Sequence, residues 1–285
     1  MSNNLENLLI QIRNSESLKA LPIWKYIRSS YELFLQAVTL NSGLSREIYP
    51  GLVFKCSYRS RQTIPADIAT HNFDFPSLEY IHTHLTNQID RHSHPCFIDC
   101  GANHGLYVMV ADRWVGEHGS VIAFEPHIPS VKVLQENIAR NHCQHVKCVT
   151  AAVGESPGTL KLFGTSEVGT TFTLLDQSKG EGGNMVDVIT LDDYCEQNQL
   201  QPTAIKIDVE GFELQVLKGA VKTLTKFQDT IKIICEMHNF MWDRPDYDLE
   251  ILALVHSCGL YVFNLKGEEV NRIDCYQHYV IAKEF

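Results

Sequence analysis

The stretch Phe97-Ile98-Asp99-Cys100-Gly101-Ala102-Asn103-His104-Gly105 decides the fold of this chain. It leaves an apolar, strand-like run and enters a helical pattern that begins at Leu106. The two glycines let the backbone turn tightly and approach a ligand, and free N–H groups at the start of the helix attract an anionic group. The stretch therefore predicts a strand, a turn and a helix, with a ligand above the turn. The alternative is a turn that only connects the strand to the helix.

Glu125 is the acidic residue that accompanies this turn. It directly follows the next apolar run, at the offset of about 20 residues where an acidic side chain accepts hydrogen bonds from both ribose hydroxyls. A dinucleotide-binding turn would have glycine where this chain has Asn103 and Leu106. A nucleoside ligand without a diphosphate fits better, and S-adenosylmethionine is such a ligand. Its methionine carboxylate and amine would sit over the turn, and its ribose would reach Glu125.

From residue 96 onward, short apolar runs alternate with helical segments. This alternation is typical of the α/β class, in which a mostly parallel sheet is covered on both faces by helices. Between 158 and 190, alternating apolar positions among Gly and Thr predict extra antiparallel strands or a flap. The seven predicted strands are 96–100, 121–124, 146–152, 204–209, 231–235, 260–265 and 279–282, and the predicted helices are 106–114, 129–141, 191–199, 212–224 and 247–258.

The residues before this region form a different pattern. Helical spacing of apolar residues over 5–40 and 78–89, with a short strand at 52–56, predicts a mainly helical N-terminal extension over 1–94. We expect a second domain, 95–285, to bind the ligand. The extension would then cover the pocket of the second substrate or form a contact in a homo-oligomer.

Charge and composition exclude several classes of protein. The 285 residues include 24 Lys and Arg against 34 Asp and Glu, a net charge of −10, which disfavours a nucleic-acid partner. No secretory signal and no apolar run of about 18 residues is present, so we expect no membrane span and a cytoplasmic location. The nine cysteines lack a C-x-x-C pair and are interpreted as reduced core thiols.

A second informative run is Ile205-Lys206-Ile207-Asp208-Val209-Glu210-Gly211. In a buried strand, Lys206, Asp208 and Glu210 would alternate onto one side. Because buried charges without partners are very costly, we expect them to pair or to serve a ligand. Ligands lie beyond the carboxyl ends of the strands in open α/β sheets, which predicts catalytic roles for these residues near the reacting group. A structural pair with a carboxylate is the alternative for Lys206.

Glu236 and His238 follow the next predicted strand and should emerge at the same sheet edge. Two chemistries are open. His238 could take a proton from a hydroxyl group as its oxygen attacks a sulfonium methyl, because its ordinary pKa of about 6.5 suits proton transfer. Alternatively, Asp208, Glu236 and His238 could bind a divalent metal that holds the acceptor oxygens and lowers their pKa.

Five segments of the chain, in order, resemble the FkbM-type S-adenosylmethionine-dependent methyltransferases. The resemblance covers roughly residues 96–240, and His104 departs from it because an apolar residue is usual there. The matching segments are Ile98-Asp99-Cys100-Gly101-Ala102-Asn103-His104-Gly105, Ala123-Phe124-Glu125-Pro126, Ala151-Ala152-Val153-Gly154, Thr190-Leu191-Asp192-Asp193 and Ile205-Lys206-Ile207-Asp208-Val209-Glu210-Gly211-Phe212-Glu213.

The resemblance implies a class I methyltransferase, Rossmann-like core: a seven-stranded, mostly parallel sheet with an antiparallel last strand. It also implies methylation of oxygen, commonly a hydroxyl of a sugar or a natural product such as a polyketide. The positions implied to bind the cofactor are Asp99, Gly101, Asn103, Gly105, Glu125 and Ala152. A nicotinamide-dependent oxidoreductase and a non-catalytic nucleoside-binding protein are the alternatives.

Overall fold

A computed structural model describes residues 44–49, 51–56, 75–90, 94–163, 173–175, 183–242 and 244–285. The helical pattern over 5–40 lies outside the described residues. The described strands are β1 (Leu44–Tyr49), β2 (Leu52–Cys56), β3 (Cys96–Cys100), β4 (Ser120–Phe124), β5 (Val146–Val149), β6 (Ala152–Val153), β7 (Gly158–Phe163), β8 (Thr173–Leu175), β9 (Asn184–Ile189), β10 (Ala204–Ile207), β11 (Lys232–Met237), β12 (Tyr261–Asn264) and β13 (Gln277–Ala282).

The helices follow the predicted alternation. They are α1 (Phe75–Asp90), α2 (Leu106–Val115), α3 (Ile128–Arg140), α4 (Leu191–Gln197), α5 (Glu213–Lys218), α6 (Val221–Phe227) and α7 (Tyr247–Ser257), with short 3-10 helices at Gly116–His118 and Asn239–Met241. Local chemistry sets several of their ends. Thr190 caps α4 by accepting a hydrogen bond from the Asp193 N–H at 3.0 Å, and Pro129 lies in the first turn of α3.

The central sheet has seven strands in the order β12-β13-β11-β10-β3-β4-β5. Its neighbouring strands are parallel except at β13, which runs antiparallel to both β11 and β12. The α/β class and the antiparallel last strand implied by the resemblance are thus confirmed. β3 is buried along its whole length, as expected for a parallel strand covered on both faces. The sheet order brings the ends of β3, β4, β10 and β11 to one edge.

A smaller sheet confirms the extra strands predicted between 158 and 190. Its order is β6-β9-β7-β8, with β7 antiparallel to both β8 and β9. The prediction of one strand over 146–152 is wrong, because β5 ends at Val149 and β6 pairs with β9 in the smaller sheet. The chain therefore changes sheets at Thr150 and Ala151, beside the ends of β3 and β4.

Other boundaries differ for identifiable reasons. The predicted helix 212–224 is broken at Gly219, where a Cβ would lie 1.9 Å from the Gly154 carbonyl oxygen, so two backbones touch there. The predicted strand 204–209 ends at Ile207, because Glu210 (φ +52°) and Gly211 (φ +94°) turn the chain out of the sheet. β11 continues to Met237, where it still pairs with Gln277 of β13.

The described part of the N-terminal extension packs against the central sheet. The hairpin β1–β2 and α1 contribute Phe54, Ile81 and Leu85 to the core that also contains Val108 and Met109 of α2. A second core, on the other side of the sheet, contains residues of α4 to α7. The predicted role of the extension, as an acceptor cover or an oligomer contact, stays a prediction.

Two asparagines, Asn137 of α3 and Asn141 directly after it, hold the hairpin in place. Asn137 accepts a hydrogen bond from the Lys55 N–H at 2.7 Å and donates to the Lys55 and His104 carbonyls at 2.8 Å. Asn141 forms the same pair of bonds with the Val53 N–H and carbonyl, at 2.7 and 2.8 Å. Asn137 therefore holds both the hairpin, through Lys55, and the glycine turn, through His104. Of the helices in the described ranges, none is long and apolar enough to span a bilayer.

Candidate active site

The glycine turn leads from the end of β3 into α2. Its first N–H groups, those of Gly101 and Ala102, donate hydrogen bonds to the Phe124 carbonyl at 3.0 and 2.9 Å, which holds the turn against the end of β4. Gly101 has a φ of +88°, and a Cβ on it would lie 1.9 Å from the Asp208 carbonyl oxygen. Glycine is therefore required for both backbone conformation and close approach. The turn and the end of β10 touch at this point.

Glu125 lies at the end of β4 and faces this turn. Its Oε2 accepts a hydrogen bond from the Asn103 N–H and its Oε1 accepts one from the His127 N–H, both at 2.8 Å. Burial raises the pKa of Glu125 to about 7, although both backbone hydrogen bonds favour the charged form. Each carboxylate oxygen can accept a further hydrogen bond, so the group stays available to a ligand with hydroxyls.

A pocket opens beside Glu125. It contains about 580 Å³ of space not filled by protein, part of which is open to solvent. Leu162 of the smaller sheet closes one side of it. Four of the six predicted cofactor residues line this pocket together with two of the predicted catalytic residues: Gly101, Asn103, Glu125 and Ala152, with Asp208 and Glu210.

Asp99 and Gly105, the other two predicted cofactor residues, lie outside the lining that the described residues provide. Asp99 is 2% exposed, and its Oδ1 accepts no hydrogen bond from any described residue. Burial raises the pKa of Asp99 to about 7, with Lys206 acting in the opposite direction. Gly105 has a φ of +89°, and a Cβ there would lie 2.4 Å from Leu134 of α3. The close packing of Leu134 against this position therefore explains why the residue is a glycine.

The ends of β10 and β11 bring carboxylates around one histidine, as the sequence predicts. His238 Nε2 lies 3.4 Å from Glu210 Oε2, 3.7 Å from Glu236 Oε1 and 3.8 Å from Asp208 Oδ1. Ligand atoms of Asp208, Glu236 and His238 lie within 4.8 Å of one another, so this group could hold a metal ion. We call Asp208, Glu210, Glu236 and His238 the carboxylate–histidine cluster.

Lys206 lies behind this cluster in β10. It is 3% exposed, and its Nζ is 2.9 Å from Asp208 Oδ2 and 4.0 Å from Glu236 Oε2. The same ammonium lies 4.7 Å from the centre of the Tyr107 ring, a cation–π contact. Lys206 therefore supplies a buried positive charge to the carboxylates, which agrees with the predicted pairing.

Glu213 orients His238 from the start of α5. Its side chain is fully buried, and its Oε1 accepts hydrogen bonds from His238 Nδ1 at 2.8 Å and from the Gly211 N–H at 2.9 Å. Its Oε2 accepts from Trp242 Nε1 at 3.1 Å. Since a carboxylate oxygen only accepts, Nδ1 carries a proton and Nε2 is directed at the other carboxylates.

The cluster strongly perturbs its own titrations. Burial lowers the pKa of His238, but the hydrogen bond to Glu213 and the charges of Asp208, Glu213 and Glu210 outweigh it and raise the pKa to about 9. Burial and the neighbouring Asp208 raise the pKa of Glu210 to about 8, and burial raises that of Asp208. The pKa of Glu236 is lowered, because hydrogen bonds and charges from His278, Lys206 and Tyr276 outweigh its burial. Such perturbed groups around a pocket are typical of active sites.

A family model, the methyltransferase FkbM domain, matches residues 99–260, more than half of the chain. The chain belongs to the FkbM methyltransferase family. The match begins at Asp99 and includes the glycine turn, Glu125 and all four residues of the carboxylate–histidine cluster. Membership of this family favours methyl transfer over the nicotinamide-dependent alternative.

Curated relatives of this FkbM protein are also methyltransferases. Methyltransferase sdnD of Sordaria araneosa is 29% identical over a region that spans 45% of this chain and 61% of that protein. The hexuronic acid methyltransferase AglP of Haloferax volcanii is 28% identical, over 49% of this chain and 54% of that protein. The chain thus spans less than two thirds of either relative. The crystal structure of the methyltransferase FkbM from Methylobacillus flagellatus matches 79% of this chain and 55% of that one, with 19% identity and a TM-score of 0.46.

Several residues of this FkbM site were missed by reasoning from the sequence. Glu213 had a signal, since it is an acidic residue in the last matching segment and in the first turn of a predicted helix. Tyr276 and His278 had none. The Tyr276 hydroxyl donates a hydrogen bond to Glu236, and His278 Nε2 lies 3.3 Å from Glu236 Oε2. His278 reaches this position because β13 runs antiparallel to β11 and pairs it with Glu236.

Proposed function

We propose that this protein is an S-adenosylmethionine-dependent O-methyltransferase that acts on a hydroxyl of a sugar or of a natural-product small molecule. The observation that carries the proposal is the pocket that joins Glu125 and the glycine turn to Asp208 and Glu210. One end suits a nucleoside, and the other holds groups that can accept a proton. The hexuronic acid methyltransferase among the relatives supports a sugar as acceptor.

The residues around the pocket fit S-adenosylmethionine. The oxygens of Glu125 can accept hydrogen bonds from the two ribose hydroxyls in addition to the two backbone N–H bonds they already have. Asp99 does not line the pocket, but its buried Oδ1 has no hydrogen-bond donor among the described residues, so it would accept from the cationic amine of a bound cofactor that reaches it. Ala152 presents a small apolar surface suited to the adenine.

When bound, S-adenosylmethionine supplies a methyl group already activated by its sulfonium. His238 would take the proton of the acceptor hydroxyl that receives this methyl group. The protein mainly orients the acceptor and excludes water. Asp208 and Glu210 accept hydrogen bonds from the acceptor, and Lys206 balances the charge of Asp208.

His238 is the base that we propose. Its Nδ1 proton is held by Glu213, so a neutral His238 has its lone pair on Nε2, next to the pocket residues Asp208 and Glu210. Its raised pKa of about 9 means that the neutral form grows as the pH rises. We therefore expect kcat to increase with pH toward about 9.

A metal-assisted reaction is the second candidate, and a specific observation favours it. Two carboxylates and one imidazole have their ligand atoms within 4.8 Å of one another, and Glu213 orients the imidazole as acidic residues do for metal-bound histidines. Asp208, Glu236 and His238 would hold a divalent cation, which would lower the pKa of an acceptor hydroxyl.

Cytoplasmic location and homo-oligomer formation stay predictions of the sequence.

Calorimetry with S-adenosylhomocysteine tests the donor end of the proposal. Folded wild-type protein should bind the compound, and Glu125→Gln should bind it about 100-fold more weakly, because hydrogen bonds to a charged group contribute about 1.5–3 kcal/mol each. Glu117→Gln, which changes an exposed carboxylate outside the pocket, is the matched control. Absence of binding to folded wild-type protein would reject the proposed function.

Methyl-transfer kinetics test the catalytic end. We expect His238→Ala to lower kcat by about 10²- to 10⁴-fold, the usual contribution of a general base, with unchanged affinity for S-adenosylhomocysteine. His256→Ala, on the exposed face of α7, is the control. Unchanged turnover in His238→Ala would exclude His238 as the base, and full activity after EDTA treatment would exclude the metal.

A further inference from the structure

Two exposed aromatic side chains lie next to the carboxylate–histidine cluster. Phe240 is 67% exposed and Tyr276 is 46% exposed, although large aromatic groups are usually buried. Their ring centres are 5.3 Å apart in an edge-to-face arrangement, and the His238 ring lies 5.9 Å from Phe240 and 5.3 Å from Tyr276. We call Phe240 and Tyr276 the aromatic platform.

The platform is linked directly to the reacting groups. Tyr276 donates a hydrogen bond to Glu236, which fixes its ring beside the cluster. Phe240 lies in the 3-10 helix that follows β11, two residues after His238. The same turn ends near Trp242, which is held by Glu213. The groups thus follow one another from Glu125 through Asp208 and His238 to the platform.

The charged groups of the cluster differ in their access to solvent. The side chains of Asp208 and Glu210 are 30% and 21% exposed, whereas those of Lys206 and His238 are only 4% and 3% exposed. A ligand on the platform therefore meets mainly carboxylate oxygens, which accept hydrogen bonds, and only its reacting hydroxyl approaches His238 Nε2, which lies 3.4 Å from Glu210 Oε2. Hydroxyl groups are matched donors for these oxygens.

We propose that the aromatic platform is the acceptor subsite and that it selects an uncharged, ring-shaped polyhydroxylated acceptor, a neutral sugar. The apolar C–H face of such a ring packs on Phe240 and Tyr276, while its hydroxyls donate to Asp208 and Glu210. This inference rests on the proposed function. It adds which residues bind the acceptor and that the acceptor is uncharged.

Charge distinguishes a neutral sugar from its closest analogues. Above the pKa of about 8 of Glu210, a carboxylate on the acceptor would lie against the charged Glu210 beside Asp208, and like charges repel in a poorly solvated site. An ammonium on the acceptor would pair with the same carboxylates and remove the hydrogen-bond acceptors that orient the reacting hydroxyl. Both charged analogues should therefore be poorer acceptors than the neutral parent.

The test uses matched sugars of the same stereochemistry and radiolabelled S-adenosylmethionine at a pH of about 9, where Glu210, with its pKa of about 8, is mostly ionised. Glucose, glucuronate and glucosamine form one set, and the galactose and mannose series form two more. In each set that is labelled at all, we expect kcat/KM to be at least about tenfold higher for the neutral sugar, a difference of about 1.4 kcal/mol. Preference for a uronic acid or an amino sugar, or no labelling of any neutral sugar, would overturn the proposal.

Variants of the platform provide a second readout. Phe240→Ala should raise KM for the accepted sugar about fivefold or more, which matches the usual contribution of an aromatic contact, with little change in kcat. Tyr276→Phe keeps the ring but loses the hydrogen bond to Glu236, and its KM should change less than that of Tyr276→Ala. The control is Tyr261→Ala, because Tyr261 is a 40% exposed aromatic residue paired with Ala282 at the opposite end of β13. An unchanged KM in Phe240→Ala would refute the platform.

Binding of S-adenosylhomocysteine separates this inference from the proposed function. If the folded wild type and Phe240→Ala bind it equally and the neutral sugars are not preferred, the acceptor subsite is wrong and the cofactor site stands. If neither binds it, the proposed function itself fails.

Discussion

Each end of the pocket contains buried carboxylates, and these are held by different kinds of hydrogen-bonding partner at the two ends. At the donor end, Glu125 is held by two backbone N–H groups that belong to the turns on either side of it. At the acceptor end, Asp208, Glu236 and His238 are held by one another and by side chains from other segments. Backbone donors tolerate changes of neighbouring side chains, whereas a network of side chains depends on each member. We therefore expect the donor end to be robust and the acceptor end to be specific to its acceptor.

The two ends meet at Gly101, and a substitution there should have the largest effect. In Gly101→Ala the new Cβ would lie 1.9 Å from the Asp208 carbonyl oxygen, at a residue whose φ of +88° is unfavourable for alanine. We expect the free energy of unfolding to fall by more than about 3 kcal/mol, with loss of both cofactor binding and turnover. Urea unfolding and calorimetry measure this.

The matched control is Gly158→Ala, where a Cβ would meet no atom within 4 Å. It should leave the free energy of unfolding within about 0.5 kcal/mol of the wild-type value. If Gly101→Ala is as stable as this control, the backbone at Gly101 does not contact the Asp208 carbonyl oxygen.

Glu213→Gln should disturb the acceptor end alone. Three donors now share the two oxygens of Glu213, and an amide offers only one oxygen to them. We expect kcat to fall about tenfold to 100-fold, as for other residues that orient a catalytic or metal-binding histidine, with unchanged affinity for S-adenosylhomocysteine.

An NMR titration of His238 adds a readout that a purely structural role of Glu213 would not change. The pKa of His238 should fall from about 9, because Glu213 helps to raise it. Glu196→Gln, an exposed change on α4, serves as control. An unaltered His238 titration in Glu213→Gln would contradict the orienting role.

The two carboxyls of the donor end, Asp99 and Glu125, should make the free energy of unfolding depend on pH, an effect smaller than those of the substitutions above. The pKa values of Asp99 and Glu125 are raised to about 7 in the folded protein, from ordinary values of 3.8 and 4.5. Between these limits the folded protein binds protons that the unfolded chain has released, so its free energy of unfolding falls as the pH rises. Urea unfolding without cofactor, at pH 5 and at pH 8, measures the change.

The variant Glu125→Gln assigns the share of Glu125, because it removes one of the two donor-end carboxyls whose pKa is raised. Its unfolding free energy should change less between the two pH values than that of the wild type. Glu117→Gln should behave like the wild type. A wild type that gains stability toward pH 8, with the variant showing the same gain, would rule out this account.

The donor end could be predicted because its signals are local. A glycine turn after an apolar run and an acidic residue after the next run are patterns of neighbouring residues, and Gly101, Asn103 and Glu125 all line the pocket. Gly105 shows the limit of such reasoning. Its spacing suggests a ligand site, yet its Cβ position is filled by Leu134, which the sequence does not place there.

The acceptor end was predictable only where a residue follows a parallel strand. Asp208, Glu236 and His238 were found because the carboxyl ends of parallel strands share one edge. Tyr276 precedes β13, and His278 lies within it, in an antiparallel strand whose register with β11 cannot be read from periodicity. The predicted strand over 146–152 failed for a related reason, since pairing with β9 takes its last residues into another sheet.

The sequence by itself determined the α/β class, the strand–turn–helix that begins the sheet and the acidic residue opposite it, because these follow from spacing along the chain. Only the tertiary structure decided which side chains surround His238 and that two aromatic rings stay exposed beside it. Those contacts join residues far apart in the chain, and the packing and register of whole strands set their distances.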